Sequence, residues 1–342
     1  MDMTSRGNGA VVGRRRVLTL IASAGVIAAS PTAASGIFGG SDIPVFRWRD
    51  RALGASASLL FHGLAHQDAR RLARAAMAEV TRLERVFSLY RADSALVRLN
   101  VAGSLSAPPP ELVTVLHRAL RWSAVTDGAF DPTVQPLWDV YRQHFAAPSA
   151  NPAGPDPARL EAARALVDWQ RVEVSPERIT FAQPGMAVTL NGIAQGAITD
   201  SVVRLLKRSG VRHVLVDMGE LRAIDGRHDG KPWRVGLANP FPLATEPGVL
   251  DVVDRAVATS STSGTVFAPA AGMHHILRPS TGRPGEGLAQ ASVQARRAID
   301  ADALSTALVA AGRWRIPPEA PQMGIERVVA IDTAGRREDW QA

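Results

Sequence analysis

Asp300, Asp302, Ser305 and Thr306 stand close together in an otherwise apolar run, Asp300-Ala-Asp-Ala-Leu-Ser-Thr306. On a helix, Asp302 and Thr306 are four apart and share a face, with Ser305 beside them. One carboxylate and two hydroxyls make a sparse, oxygen-only set. Such a set suits Mg²⁺, which keeps several waters and shares substrate phosphates. The same acids would serve equally well as caps of the helix N-terminus.

A second group is Thr189-Leu-Asn-Gly192-Ile-Ala-Gln195-Gly196, followed by Asp200. A strand entering this turn and a helix leaving it would expose unpaired N–H groups and partial positive charge, which attract anions such as pyrophosphate. An ordinary β-to-α turn would carry the same glycines. In Asp127-Gly128-Ala129-Phe130-Asp131-Pro-Thr133, Gly128 permits close backbone approach. Asp131 and Thr133, two apart, could meet a polar ligand edge. Tyr90 is one of only two tyrosines and follows a predicted helix. Its ring could stack on a flat ligand or simply cover the core. His274 and His275 are adjacent, so on a strand only one can face a site, where it could act as base or phosphate donor.

Several common chemistries are excluded. Cysteine is absent, which removes disulfides, thiolate zinc sites and cysteine nucleophiles. The nearest approach to a phosphate-binding P-loop, Gly226 to Pro232, has the wrong spacing and ends in proline where a hydroxyl is required. No Gly-x-Ser-x-Gly elbow and no His-Glu-x-x-His pattern occurs.

The elements that must position these residues follow from periodicity. Pro44–Phe61 reads as strands around Gly54. Ala69, Leu72, Ala76, Val80, Leu83 and Phe87 mark an amphipathic helix over 68–87. A second helix opens at Pro109-Pro110 and closes before Gly128. Ala146–Pro157 reads as a surface excursion. Strands are expected at 171–174, 179–181, 187–190, 211–216, 233–237, 256–260, 275–277 and 291–295. Helices are expected at 197–208 and 298–311, the last ended by Gly312. Strands and helices mix without a regular βαβ alternation, which predicts an α+β fold.

At the N-terminus, Arg14, Arg15 and Arg16 precede Val17 and Leu18, a short apolar run, and small residues near Ala34. This layout predicts a twin-arginine export signal over 1–35, of the kind that carries folded proteins, and hence a periplasmic location. Without that segment the net charge falls from +7 to +4. The remaining basic residues are scattered among acids, so nucleic acid is not an expected partner.

Taken in this order, the patches resemble the ApbE-type FAD:protein FMN transferases. The matching strings are Glu84–Ser94, Asp127–Thr133, Gly192–Asp200, His275–Gly282 and Ala301–Leu308, within about Leu53 to Gly312. The resemblance implies an ApbE-like, T-fold-related architecture of mixed or antiparallel sheets and packed helices, forming two intimate lobes within 36–342. It implies Mg²⁺-dependent transfer of FMN from FAD onto a Thr or Ser hydroxyl of an exported or membrane-bound flavoprotein, releasing AMP. An Mg²⁺-dependent FAD pyrophosphatase and a non-catalytic exported flavin-binding protein are the competing readings.

Carried over by position, Gly192 (through its carbonyl), Asp302, Ser305 and Thr306 would hold Mg²⁺. His275 would be the base and Ile276 would lie against the ligand. Tyr90, Leu53 and Gly54 would contact flavin or adenine, while Ala129, Phe130, Asp131, Thr189 and Gln195 would line the nucleotide. Thr189 stands where the family commonly has an acid, and Gln195 where it has lysine or glutamate. Gly219-Glu220-Leu221 replaces a familiar Gly-Gly-Asp, and Arg278 replaces an aspartate. These changes remove a carboxylate from the ligand region, which Glu220 could restore. The Leu190–Gly196 string is similar to the subgroup that includes the NosX accessory proteins of nitrous oxide reductase maturation. That similarity would make the acceptor a membrane-bound respiratory flavoprotein.

Overall fold

The computed structural model describes residues 26–27, 43–241, 248–313 and 315–342. The predicted export signal, Val26–Ile27 apart, lies outside the described residues. Eight strands form the main sheet. They are β1 (Val45–Ala52), β2 (Ala55–His62), β3 (Val214–Asp217), β4 (Leu221–Ile224), β5 (Ala256–Ser261), β6 (Leu288–Ala295), β7 (Ile325–Asp332) and β8 (Arg337–Gln341). Their spatial order is their chain order, and every pairing is antiparallel. The sheet is therefore a meander, and its functional parts are insertions into the connections between strands.

The largest insertion separates β2 from β3, whose register runs from Ser58 opposite Asp217 to Phe61 opposite Val214. It holds α1 (His66–Phe87), α2 (Ala95–Ala102), α3 (Pro110–Val125), α4 (Gln135–Phe145), α5 (Pro157–Arg164) and α6 (Ala194–Arg208). A last helix, α7 (Ala298–Ala311), connects β6 to β7. The α+β reading of the sequence thus holds, with antiparallel rather than mixed sheets among the described residues.

Alternation along the strands feeds two cores. Val328 and Ala330 of β7 join the main cluster beneath the helices, while Val329 joins a second cluster on the other face. That second face is covered by strands Trp233–Leu237 and Val249–Val252, with Val26–Ile27 paired to the first of them. On the main face α7 lies against β5 and β6, α6 against α7, and α1 against α6. The predicted stripe of α1 is buried from Ala69 to Phe87. It is the simplest case of periodicity becoming packing.

Some expected elements differ. Residues 187–190 are not a strand. Val188 instead exchanges hydrogen bonds with the Asn100 side chain, N–H to Oδ1 and carbonyl from Nδ2, both at 2.8 Å. A side-chain amide here replaces a neighbouring strand. Residues 275–277 are also not one strand, because pairing stops after His274 and resumes at Leu277. Helix α6 begins three residues earlier than expected, at Ala194. Helices α2, α4 and α5 were not expected. Each is short, and α2 and α5 carry only a weak apolar stripe.

The contact between α6 and α7 allows no slack. A Cβ on Gly196 would lie 2.4 Å from Ala298 O and 2.6 Å from Ile299 Cα, both backbone atoms that no rotamer change can move. Gly196→Ala should therefore cost about 1–3 kcal/mol of stability by overpacking, read as a lower urea midpoint. An unchanged midpoint would mean that the helices are not held this closely.

Candidate active site

Four segments distant in sequence border one cavity of about 130 Å³. They are Ala129–Asp131, the turn bearing Thr189 and Gly192 with Gln195 of α6 just after it, the pair His275–Ile276, and Asp302 with Thr306 of α7. Each is positioned by the elements above. The turn ends where α6 begins, so Gly196 N–H donates to Asp302 Oδ2 at 3.0 Å. The first turn of α6 thus already has an acceptor, and it is a protein carboxyl group. Asp200, one turn further along α6, accepts from Ala298 N–H at 3.0 Å and Ile299 N–H at 3.2 Å and is paired with Arg222. It is Asp200, from the neighbouring helix, that caps α7. Asp300 does not: it is clamped by Arg118, Trp122 and Arg297.

With capping assigned elsewhere, the oxygen cluster on α7 is free for chemistry. Ser260 on β5 shares hydrogen bonds with Ser305 Oγ at 2.8 Å and Thr306 Oγ1 at 3.1 Å. Ser305 sits behind the cavity wall and donates to Asp302 O at 3.0 Å. Gly192 is pressed against this group, since a Cβ there would lie 2.8 Å from Thr306 Cγ2 and 2.9 Å from its Oγ1. Asp302 is 3% exposed, and burial pushes its carboxyl up to about 7 against the opposing Gly196 hydrogen bond. Burial likewise raises Asp131 to about 6 although Thr133 donates to it. Among the described residues no group of three or more histidines and acids is arranged to hold a metal. The side-chain oxygens grouped at the cavity are carboxyls and hydroxyls, from Asp302, Thr306 and Ser260. That chemistry fits Mg²⁺ and is a poor match to zinc.

The two histidines diverge. His274 is buried, with Nε2 on Gly285 O at 2.9 Å and Nδ1 accepting from Ile276 N–H. His275 borders the cavity, and its Nδ1 lies 3.0 Å from Thr265 O and 3.2 Å from Thr265 N, so it can donate to the carbonyl or accept from the N–H according to the tautomer. With the proton on Nδ1, Nε2 remains as the ring's acceptor. Burial, then the neighbouring His274, lowers its pKa to about 4, so the ring is neutral near pH 7.

Tyr90 lies outside this cavity. It is 60% exposed and borders an adjoining groove of about 760 Å³, with Trp138 lining both spaces. Its hydroxyl faces the Asn191 side chain, which borders the first cavity. Leu53 and Gly54 border neither space. They form the β1–β2 turn at φ +47° and +82°, and Leu53 N–H donates to Glu84 Oε1 at 2.8 Å. Sequence reasoning overlooked Thr259, Ser260, Ser261 and Trp138, all of which border the cavity. Five consecutive hydroxyl residues, Thr259–Ser263, after the apolar Ala256–Ala258 were the available signal.

The FAD:protein FMN transferase of Salmonella typhimurium is 30% identical over 259 residues, covering 72% of this chain and 73% of that protein. The Treponema pallidum protein of the same name is 33% identical over 267 residues, covering 70% and 72%. Among solved structures, the ApbE protein of Thermotoga maritima superposes with a TM-score of 0.76 at 27% identity, covering 86% of this chain and 96% of that one. Flavin transferase ApbE from Vibrio cholerae gives 0.73 at 26% identity, covering 87% and 98%. A model of the ApbE family matches residues 53–326, and the chain belongs to that family.

Proposed function

We propose that the protein transfers FMN from FAD onto a threonine or serine hydroxyl of a partner protein, with Mg²⁺ at the α7 oxygen cluster and AMP as the leaving product. The supporting observation is convergence. The oxygen cluster, the Gly192 turn and an imidazole acceptor border one cavity, which opens beside a tyrosine-edged groove. Relatives carrying the name FAD:protein FMN transferase supply the substrate pair. A long ligand with two ends suits two adjoining spaces. When bound, Mg²⁺ would neutralise pyrophosphate charge and align the transferring phosphorus. Asp302 and Thr306, with Ser305 and Gly192, would hold it.

The chain's own residues account for the rest. A hydroxyl is a weak nucleophile at neutral pH, and His275 Nε2 accepts its proton. The acceptor oxygen bonds to the FMN phosphorus as the bond from that phosphorus to the AMP oxygen breaks. Thr265 holds the imidazole at Nδ1, and the base role uses the tautomer in which Nδ1 donates to Thr265 O. Tyr90 provides a stacking face at the groove edge. The twin-arginine pattern supports a reaction in the periplasm, and the Leu190–Gly196 string favours a respiratory flavoprotein of nitrous oxide reductase maturation as acceptor.

Incubating the purified protein with FAD, Mg²⁺ and a peptide bearing an acceptor threonine should add FMN to the peptide. Free FMN and AMP without labelled peptide would establish a pyrophosphatase instead, and unchanged FAD a carrier. His275→Asn should slow transfer about 10²–10⁴-fold. Because the base works deprotonated, the acid limb that His275 gives to kcat/KM should lie near pH 4. A limb near the ordinary histidine value that persists in the variant would remove His275 from the reaction. Replacing Arg14 and Arg15 by lysine should retain the protein in the cytoplasm on cell fractionation, and undiminished export would contradict the signal assignment.

A further inference from the structure

Glu220 is a buried acid that the transfer chemistry above leaves unused. It follows Gly219 in the turn between β3 and β4, where φ of +101° at Gly219 and its N–H donated to Asp217 Oδ1 at 3.1 Å set the bend. Its carbonyl is fixed by Thr199 Oγ1 at 3.0 Å and Met218 N–H at 3.1 Å. The side chain is 4% exposed and borders the same cavity as Asp302, Gly192 and Thr306.

Its surroundings do not satisfy a carboxylate. One oxygen takes a single long hydrogen bond, from Thr259 N–H at 3.3 Å, and the other has no hydrogen-bond partner among the described residues. The charged groups acting on it are Asp302 and Asp217, both acidic. Arg222, two residues on, is committed to Asp200. Beside the turn the Gln195 amide is 6% exposed, and its Nε2 has no partner. It sits so close that a Cβ on Gly219 would lie 2.3 Å from it. A glutamine at 220 would make the Thr259 contact equally well, so the acid itself is what the fold alone does not explain. Buried like charges without a counter-charge are costly. A divalent cation between them would offset that cost.

We propose that Glu220 is a second carboxylate ligand of the cation site, so that this chain grips Mg²⁺ between α7 and the β3–β4 turn. The inference rests on the Mg²⁺ assignment above and extends it to a residue outside the carried-over set. Two carboxylates in place of one would let the protein bind Mg²⁺ before the nucleotide arrives.

Titration of the metal-free full chain with Mg²⁺ alone, by calorimetry and by the Mg²⁺-induced rise in Tm, tests this without turnover. Glu220→Gln should weaken Mg²⁺ binding about 10- to 100-fold. It should also raise the metal-free Tm while shrinking the Mg²⁺-induced shift. Glu220→Asp, which keeps the charge at shorter reach, should fall between. Mg²⁺ affinity of Glu220→Gln within two-fold of the parent would overturn the proposal while leaving the transferase reading intact. So would a loss confined to FAD affinity, which would make Glu220 a nucleotide contact. If the parent chain binds no Mg²⁺ with or without FAD, the cation assignment itself fails.

Discussion

Helix α7 has almost no wet face: twelve of its fourteen residues are buried. A helix so enclosed must satisfy its polar groups within the protein, since each unpaired one costs on the order of 1–3 kcal/mol. Its N-terminal N–H groups go to Asp200, and Arg278 donates to the carbonyls of Ala310 and Ala311 at the other end. Between these clamps stand two acids one residue apart, in opposite circumstances. Asp300 receives three donors, from Arg118, Trp122 and Arg297, whereas Asp302 receives one backbone N–H. The fully paired acid holds the helix in place. The under-paired acid keeps capacity for a ligand, and burial raises its pKa for the same reason.

This distinction could not be read from the local string, in which either aspartate was a plausible cap. It depends on Arg118 and Trp122 from α3 and on Gly196 from α6, residues about 180 and about 100 positions away. The helices themselves were more legible. Helix α7 is found over 298–311 as expected, because its largely apolar run stops at Gly312, which takes φ +65°. The stripe of α1 was equally plain. Residues 187–190 misled because an extended, alternating segment looks the same whether its partner is a strand or the Asn100 side chain.

At the site, legibility followed the distance between ligands along the chain. Residues contributed as short strings, such as Ala129–Asp131 and His275–Ile276, meet in the cavity as expected. The hydroxyls of β5 did not announce themselves, because serine and threonine are also ordinary strand residues. Their meaning comes from the register that sets Ser260 within reach of both Ser305 and Thr306. Tyr90 shows the converse. Its hydroxyl neighbours Asn191 of the cavity, but Tyr90 itself borders the adjoining groove.

The meander has one long interruption, the six helices that separate β2 from its partner β3. Pairing across so large an insertion waits on loop closure and slows folding. During synthesis β2 cannot be covered on that side until Val214–Asp217 has left the ribosome. A truncated product would therefore expose an open strand edge, which is the surface that invites aggregation and quality control. Pairing of β2 with β3 thus reports that synthesis has passed Asp217 and that the whole helical insertion has been made.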